Sequence, residues 1–318
     1  MSGAAPRRRL RRVLADRIHR FIGRSRALSR AYLGGLSFIC RNIASAAFAD
    51  NTAALLARPY WPDITFHPRR VILGSTTEVR LTPHFGEFDW EALFRRRLGY
   101  EQAVFRWLEA NVCADYDAVV EIGANVGVYT VFLGLLARRN AGGRLRSVFS
   151  FEPSPRAFAR LSENLACNGL PSDRAFRLAV GARAGFETLY EPAGHLTNGS
   201  LVEDFARIFS PTVRETPVCV VTPDQLEALL VGHERILFKI DVEGYEPELL
   251  RAFAGVAERL RPDFLIEVLE GAAGQLEALE HLADYERLLI GDEGLVRHER
   301  LFADRTRRDW LLRRADSR

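Results

Sequence analysis

Hydrophobic and polar positions alternate in blocks beyond residue 100. Short apolar runs rich in Val, Ile and Phe, as expected of parallel strands covered on both faces, occupy residues 117–122, 147–151 and 236–240. Across residues 128–136 the apolar side chains recur at three- and four-residue steps, which predicts a helix directly after the first run. Strands that alternate with helices indicate an α/β domain with a mostly parallel sheet, to which we assign residues 101–318.

Later apolar runs predict further strands at residues 178–180, 185–190, 216–221, 288–290 and 310–312. We expect the first of these to be the third strand of the core sheet. The next two form an insertion at the edge of the sheet that binds ligands. The last two, joined by a polar stretch, close the sheet as an antiparallel pair.

The first 100 residues have a different composition. Residues 1–40 form a basic amphipathic arm, because residues 1–30 carry ten arginines against Asp16 alone, a net charge of +9. We expect residues 7–30 of this helical extension to lie on an anionic membrane, to dock on the domain, or to remain a tail. Residues 41–100 are assigned to a lead-in region that packs on the core. One face of the arm is apolar, formed by Leu10, Val13, Leu14, Ile18, Phe21 and Ile22.

The overall charge is +3, so the rest of the chain carries 3 − 9 = −6. An acidic body does not favour a nucleic acid as partner. The four cysteines form no Cys-x-x-Cys pair, which argues against a zinc site and fits a reducing cytoplasm. Since no run is long and apolar enough to span a bilayer, we expect a cytoplasmic protein, free or peripheral to the inner face of a membrane.

A glycine turn joins the first strand to its helix and reads Glu121-Ile-Gly123-Ala124-Asn125-Val-Gly127. A dinucleotide fingerprint needs further glycines where this chain has Asn and Val, so a pyrophosphate lacks its close approach. The negative charge of Glu121 suits a sulfonium or an ammonium group instead. The spacing is similar to the cofactor loop of S-adenosylmethionine-dependent methyltransferases, although a plain strand-to-helix turn has the same pattern.

The second strand ends in Glu152-Pro153-Ser154. An acid at the tip of the neighbouring strand is well placed to accept both ribose hydroxyls of an adenosine. Ser154 is the predicted N-cap of the next helix and Pro155 its first residue, so the acid is fixed on a stiff turn. A solvated surface glutamate is the alternative interpretation.

These two motifs, followed by Ala179-Val-Gly181, Lys239-Ile-Asp-Val-Glu-Gly244 and Arg261-Pro-Asp-Phe-Leu-Ile-Glu267, resemble in order the FkbM-type methyltransferases. The resemblance covers about half the chain. It implies the class I methyltransferase fold, a Rossmann-like seven-stranded sheet, with S-adenosyl-L-methionine as cofactor. It also implies a hydroxyl acceptor on a sugar, a lipid or a polyketide. The cofactor contacts that it implies are Glu121, Gly123, Ala124, Asn125, Gly127, Thr130, Glu152, Pro153, Ser154, Ala179 and Val180.

Lys239 is the single lysine among 44 basic residues. It shares a strand face with Asp241, so we expect an ion pair that keeps the Asp241 carboxylate charged. An alcohol is a poor nucleophile until its proton is withdrawn, and we assign Asp241 or Glu243 as the base or the acceptor-orienting group. A purely structural ion pair is the alternative. Asp241, Glu243 and Glu267 could instead hold a divalent cation, which we do not favour.

The function that these expectations define is direct, in-line methyl transfer to a hydroxyl on a small molecule, such as a secondary metabolite, or on a glycan or glycolipid. Two other classes remain open. One is a nicotinamide-dependent oxidoreductase, which the missing glycine disfavours. The other is a non-catalytic, membrane-associated scaffold with the same fold.

Overall fold

The structure, a computed structural model, describes residues 15–56, 61, 64–84, 88–140, 142–303 and 307–315. The first part of the predicted basic arm, with Leu10, Val13 and Leu14, therefore lies outside the described residues. The chain divides into two compact units. One is Met1–Val71 with Arg80–Leu98, and the other is Ile72–Val79 with Gly99–Arg318.

The first unit is mainly helical. Residues 15–22 are helical (α1), followed by α2 (Arg26–Asn42), α3 (Ala46–Leu56) and a 3-10 helix at Phe88–Leu93. The Ser25 hydroxyl accepts a hydrogen bond from the Leu28 amide and caps α2, in agreement with the N-cap preference for serine. The core of this unit includes Leu33, Leu56, Trp61, Trp90, Leu93 and Phe94.

A short hairpin turns at Gly74 and Ser75. It is formed by β1 (Arg69–Leu73) and β2 (Thr77–Leu81). The Glu109 carboxylate accepts hydrogen bonds from the Ser75 amide at 2.6 Å and the Thr77 hydroxyl at 2.7 Å, which fixes the turn.

The second unit contains the eight-stranded central sheet, in the order β12-β11-β13-β10-β9-β3-β4-β5. The five strands from β10 to β5 are parallel to one another. The strands are β3 (Ala118–Ile122), β4 (Ser147–Phe151), β5 (Ala175–Phe176), β9 (Ile236–Ile240), β10 (Asp263–Glu267), β11 (Tyr285–Gly291), β12 (Gly294–His298) and β13 (Asp309–Arg314). The helices of this unit are α4 (Gln102–Asp115), α5 (Val128–Arg139), α6 (Pro155–Cys167), α7 (Glu203–Phe209), α8 (Pro223–Leu226), α9 (Glu246–Ala252), α10 (Ala254–Leu260) and α11 (Ala273–Glu277).

The central strands have the composition that their burial requires. All five residues of β3 and all five of β9 are buried. Their apolar side chains form one core with the covering helices and with the last strands, for example through Phe238, Phe253 and Phe264. The Rossmann-like, mostly parallel α/β sheet is therefore confirmed.

The expected third core strand was misplaced. The short β5 takes that position, where the Phe176 ring stacks on Phe151 at 5.0 Å. Ala179 and Val180 instead form β6, which belongs to a separate three-stranded sheet with β7 (Gly185–Pro192) and β8 (Val213–Val221). Both residues are buried, so the apolar run predicted their burial correctly but not the sheet to which they belong.

The closing antiparallel pair is confirmed, with Leu288 of β11 opposite Leu311 of β13. The polar connection between them contains a strand that the sequence did not predict. Strand β12 pairs with β11 at the sheet edge, so the sheet has eight strands rather than seven. Its side chains are all exposed or half-buried, which explains why the hydrophobic pattern missed it. Of the helices in the described part of the chain, none has the length and apolarity needed to cross a membrane.

Candidate active site

The carboxyl ends of the parallel strands bring the predicted site residues to one edge of the central sheet. Glu121 lies near the end of β3, Glu152 directly follows β4, Asp241 directly follows β9, and Glu267 ends β10. Strand β13 runs antiparallel to β10, so its first residue, Asp309, lies opposite Glu267 at the same edge. In open α/β sheets, ligands bind at this edge.

The glycine turn packs directly on the turn that carries Asp241. Gly123 has a φ of +85°, and a Cβ added to it would lie 1.7 Å from the carbonyl oxygen of Asp241. Gly127 has a φ of +81° and lies against Leu161 of α6. Asn125, where a dinucleotide turn has glycine, adopts a φ of +51°, which asparagine tolerates better than most residues. Each turn residue is therefore explained by local geometry.

Glu152 is held by two backbone amides. Its carboxylate accepts hydrogen bonds from the Asn125 amide and from the Ser154 amide, both at 2.7 Å. Ser154 caps α6 with its hydroxyl, as predicted, and donates to Glu191 at 2.6 Å. Burial raises the pKa of Glu152 to about 7 despite the two amide donors. The carboxylate therefore links the two predicted cofactor turns.

Glu121 is buried beneath the turn. Its carboxylate accepts hydrogen bonds from the Thr130 hydroxyl at 2.6 Å and the Ser150 hydroxyl at 3.3 Å. Burial raises the pKa of Glu121 to about 7, although the neighbouring Lys239 acts in the opposite direction. Thr130 thus serves to hold Glu121, and its contact with a cofactor stays a prediction. The same holds for Ala124, Pro153, Ala179 and Val180, to which the structure gives no chemical role.

The predicted ion pair between Lys239 and Asp241 is present. The Lys239 Nζ lies 3.2 Å from Asp241 Oδ2 and 4.4 Å from the centre of the Tyr129 ring. Lys239 is buried, yet its pKa is raised, because the nearby carboxylates of Asp241, Glu101 and Glu121 outweigh the cost of burial. One ammonium group therefore interacts electrostatically with several carboxylates.

Glu101 and Asp309 belong to this cluster and were missed by the sequence analysis. Glu101 immediately precedes α4, and its carboxylate accepts a hydrogen bond from the Tyr129 hydroxyl. Burial raises the pKa of Glu101, and burial together with Glu101 raises that of Asp309 to about 7. Neither residue lies in a motif that resembles the family. No local signal in the sequence marked Glu101 as a site residue.

The turn after β9 is fixed by a third acid that the sequence analysis left out. The buried Glu246 carboxylate accepts hydrogen bonds from the Val242 amide at 2.9 Å and the Gly244 amide at 3.0 Å. This arrangement holds Glu243 in a left-handed conformation, with a φ of +54°. Burial, followed by the charges of Asp241 and Glu267, raises the pKa of Glu243 to about 9.

Glu267 pairs with one of a group of arginines near the C-terminal end of the sequence. Arg308 Nε lies 2.5 Å from Glu267 Oε1. Arg305, from the same group, lies outside the described residues. In the described part of the chain, no three His, Cys, Asp or Glu side chains are grouped so that they could hold a metal ion.

A loop of the insertion contacts both turns of the site. The Asn125 side-chain amide donates to the Thr197 carbonyl at 3.3 Å, and the Ser200 hydroxyl donates to the Glu243 carbonyl at 2.7 Å. The Asn125 Oδ1 atom is buried and has no hydrogen-bond partner among the described residues. A buried acceptor without a donor, next to the Glu152 carboxylate, fits a ligand that carries ammonium and hydroxyl groups, as S-adenosylmethionine does.

A groove with a volume of about 720 Å³ opens beside this edge. Its walls come from the three-stranded sheet, α7, and the turns after β9 and β10. Phe205, Ile208 and Tyr245 supply apolar surface. The charged residues that line it are Arg183, Glu187, Asp204, Glu248 and Glu270.

Comparison with known proteins identifies the family. Residues 121–289 match the Methyltransferase FkbM domain, which is more than half of the chain. The protein belongs to the FkbM methyltransferase family, as its motifs predicted.

The chain is also similar to the hexuronic acid methyltransferase AglP of Haloferax volcanii, with 27% identity over 168 residues. This match covers 51% of the chain and 60% of the relative, so it leaves much of the relative's length unmatched. Among solved structures, the methyltransferase FkbM of Methylobacillus flagellatus KT is 16% identical, with a TM-score of 0.39 over 63% of this chain and 44% of that one. A SAM-dependent methyltransferase of Agrobacterium tumefaciens is 10% identical, with a TM-score of 0.39 over 78% and 70% of the two chains.

Proposed function

We propose that this protein is an S-adenosylmethionine-dependent methyltransferase that methylates a hydroxyl group of its acceptor. The observation that carries the proposal is the direct packing of Asp241 on Gly123. This backbone contact places the residue that carries the predicted catalytic acid next to the predicted cofactor turn, at the edge of the sheet where ligands bind. Family membership supports the same reaction class.

The cofactor residues have complementary tasks. Glu152 is oriented to accept hydrogen bonds from ribose hydroxyls, since two amides fix its carboxylate. The buried Asn125 Oδ1 atom, which has no hydrogen-bond partner among the described residues, can accept a hydrogen bond from the same ligand. When bound, S-adenosylmethionine supplies a methyl group that is already activated, so the protein has mainly to align the reactants and remove a proton.

Asp241 is the better candidate for the base. Because the pKa of Glu243 is raised to about 9, its carboxyl group is protonated near neutral pH and cannot accept a further proton. The protonated group can donate a hydrogen bond and so orient the acceptor oxygen. Asp241 is held in place by the Lys239 ammonium, whose Nζ lies 3.2 Å from its Oδ2 atom. We therefore assign proton removal to Asp241 and orientation to Glu243.

The groove is the proposed acceptor site. Its carboxylates can accept hydrogen bonds from several hydroxyl groups, and Tyr245 and Phe205 can pack against a sugar ring. The relative AglP is named for an acidic sugar. In this groove, four acids and one arginine would repel a uronate. We propose an uncharged, hydroxyl-rich acceptor, such as a neutral sugar or a neutral glycolipid headgroup.

The test is a labelled-methyl assay against neutral sugars, their uronates and glycolipids, with products identified by mass spectrometry. We expect transfer to a hydroxyl of a neutral acceptor. Asp241→Asn should lower kcat about 100-fold or more, the usual contribution of a general base, and leave S-adenosylhomocysteine binding intact. Asp284→Asn, at an exposed position of the same unit, is the matched control.

Four results would contradict the proposal. Full turnover by Asp241→Asn would remove this residue from the mechanism. Transfer to a uronate but not to its neutral sugar would overturn the acceptor assignment. Calorimetry that detects NAD binding but no S-adenosylhomocysteine binding would favour the oxidoreductase. Cofactor binding without transfer to any component of a cell extract would favour the scaffold.

A further inference from the structure

The apolar side chains that helix α2 exposes are larger than most of the side chains that it buries. Leu28, Phe38 and Ile39 are 50%, 62% and 41% exposed, and Ile43, just beyond the helix, is 71% exposed. An ordinary surface helix has the opposite arrangement, with its large apolar residues facing the core. The buried positions of α2 are Ser29, Leu33, Ser37 and Cys40.

The exposed apolar residues form one continuous face. Leu28, Ala31, Gly35, Phe38 and Ile39 follow each other at intervals that keep them on one side of a helix with about 3.6 residues per turn. The face carries no charge, because the arginines of α2 point to the other sides of the helix. We call these five residues the apolar face of α2.

The charge around this face has one sign. Residues 17–49 contain six arginines and no aspartate or glutamate. Arg41 donates to the backbone carbonyls of Ala92 and Arg70 within the first unit. The other five arginines, all exposed, are Arg17, Arg20, Arg24, Arg26 and Arg30.

We propose that residues 15–43 dock on an anionic membrane surface, with the apolar face of α2 entering the boundary between headgroups and acyl chains. Helices that lie in this boundary combine large apolar residues with flanking arginines. Anionic headgroups complement the five exposed arginines, whereas a second copy of the chain would bring like charges together. The exposed Ile18 and Phe21 of α1 add apolar surface to the same segment.

The test is co-sedimentation of the full chain with two sets of vesicles, phosphatidylcholine alone and an equimolar mixture with phosphatidylglycerol. We expect binding to the anionic vesicles only, and loss of binding as the salt concentration approaches about 1 M, where charges are screened within about 3 Å. Replacing both Phe38 and Ile39 by serine should lower the partition coefficient about tenfold or more, since two large apolar side chains no longer enter the bilayer.

Val231→Ser, at an 83% exposed position of the second unit, is the control and should bind as the wild type does. Phe38→Trp provides a second readout that does not depend on loss of binding, because its fluorescence should shift to the blue on anionic vesicles. Equal binding to both vesicle types, or no binding to either, would overturn the proposal. An α2-dependent dimer in solution that excludes vesicle binding would assign the face to a second copy instead. None of these results depends on methyl transfer.

Discussion

The ammonium group of Lys239 lies 3.2 Å from the Asp241 carboxylate, and both side chains project from the same face at the end of β9. This pair is the centre of the acidic cluster. Glu101 and Glu121 also act on Lys239 and raise its pKa. The single lysine of the chain therefore balances the charge of a buried site where a bulkier guanidinium group would crowd Tyr129.

Lys239→Met should be strongly destabilising. The substitution leaves the buried Glu121 and the partly buried Asp241 and Glu101 without their cation, and removing one partner of a buried pair typically costs about 3–5 kcal/mol in the free energy of unfolding. Denaturant unfolding measures this loss. Arg251→Met is the matched control, because the Arg251–Glu248 pair is more than half exposed on both sides and contributes less than about 1 kcal/mol. Equal losses for the two variants would contradict the central role of Lys239.

The sequence predicted the central strands well for a physical reason. Strands β3 and β9 are buried on both faces, so four of the five positions in each strand are apolar. The prediction failed where a residue is buried but lies outside the central sheet, and where a strand lies in that sheet but is not buried. Ala179 is buried but lies in a second sheet, and β12 lies in the main sheet with its side chains half-exposed. Hydrophobicity reports burial, whereas strand pairing depends on partners elsewhere in the chain.

Glu152→Gln should weaken cofactor binding and also loosen the contact between the two turns, because the glutamine oxygen can replace only one of the two carboxylate oxygens that accept from backbone amides. The amide keeps the shape of the side chain but loses the charge that strengthens hydrogen bonds from ribose hydroxyls. Such a charge-assisted bond contributes about 1.5–3 kcal/mol, so the Kd for S-adenosylhomocysteine should rise roughly 10- to 100-fold. Calorimetry measures the change, and Glu163→Gln, on the exposed face of α6, should leave the Kd unchanged. An unaltered Kd for Glu152→Gln would show that Glu152 does not bind the ligand.

The site was only partly predictable, because motifs reveal residues that share a turn with glycine or proline. Glu121, Glu152 and Asp241 all lie beside such turns. Glu101 reaches the cluster from the start of α4 through the Tyr129 hydroxyl, a contact that depends on packing between distant segments. Asp309 lies at the site because β13 pairs antiparallel with β10, and no local sequence pattern specifies that pairing.

Stability should fall as the pH rises through the pKa of Glu243. The folded state holds this carboxyl with a pKa of about 9, against an ordinary value of 4.5. The folded chain therefore binds a proton more tightly than the unfolded chain does, so the stabilisation is complete below pH 4.5 and is lost as the pH rises through about 9. Between pH 6 and 9, the Tm of Glu243→Gln should decline less steeply than that of the wild type. Glu299→Gln, at an exposed position, should retain the wild-type slope.

Gly123→Ala and Gly194→Ala separate backbone strain from lack of space. The two glycines have nearly the same φ, +85° and +82°, but an added Cβ meets the Asp241 carbonyl at 1.7 Å in the first case and nothing within 4 Å in the second. Gly194→Ala should therefore lower the free energy of unfolding by only about 1–2 kcal/mol, which is the cost of holding alanine in a left-handed conformation. Gly123→Ala must also displace the turn that carries Asp241, which adds about 1–3 kcal/mol or more. Thermal unfolding and S-adenosylhomocysteine calorimetry should show a larger loss of stability for Gly123→Ala and a loss of binding in that variant alone. Similar behaviour of the two variants would mean that the glycine turn and the Asp241 turn do not pack as described, and the proposed site would lose its main geometric support.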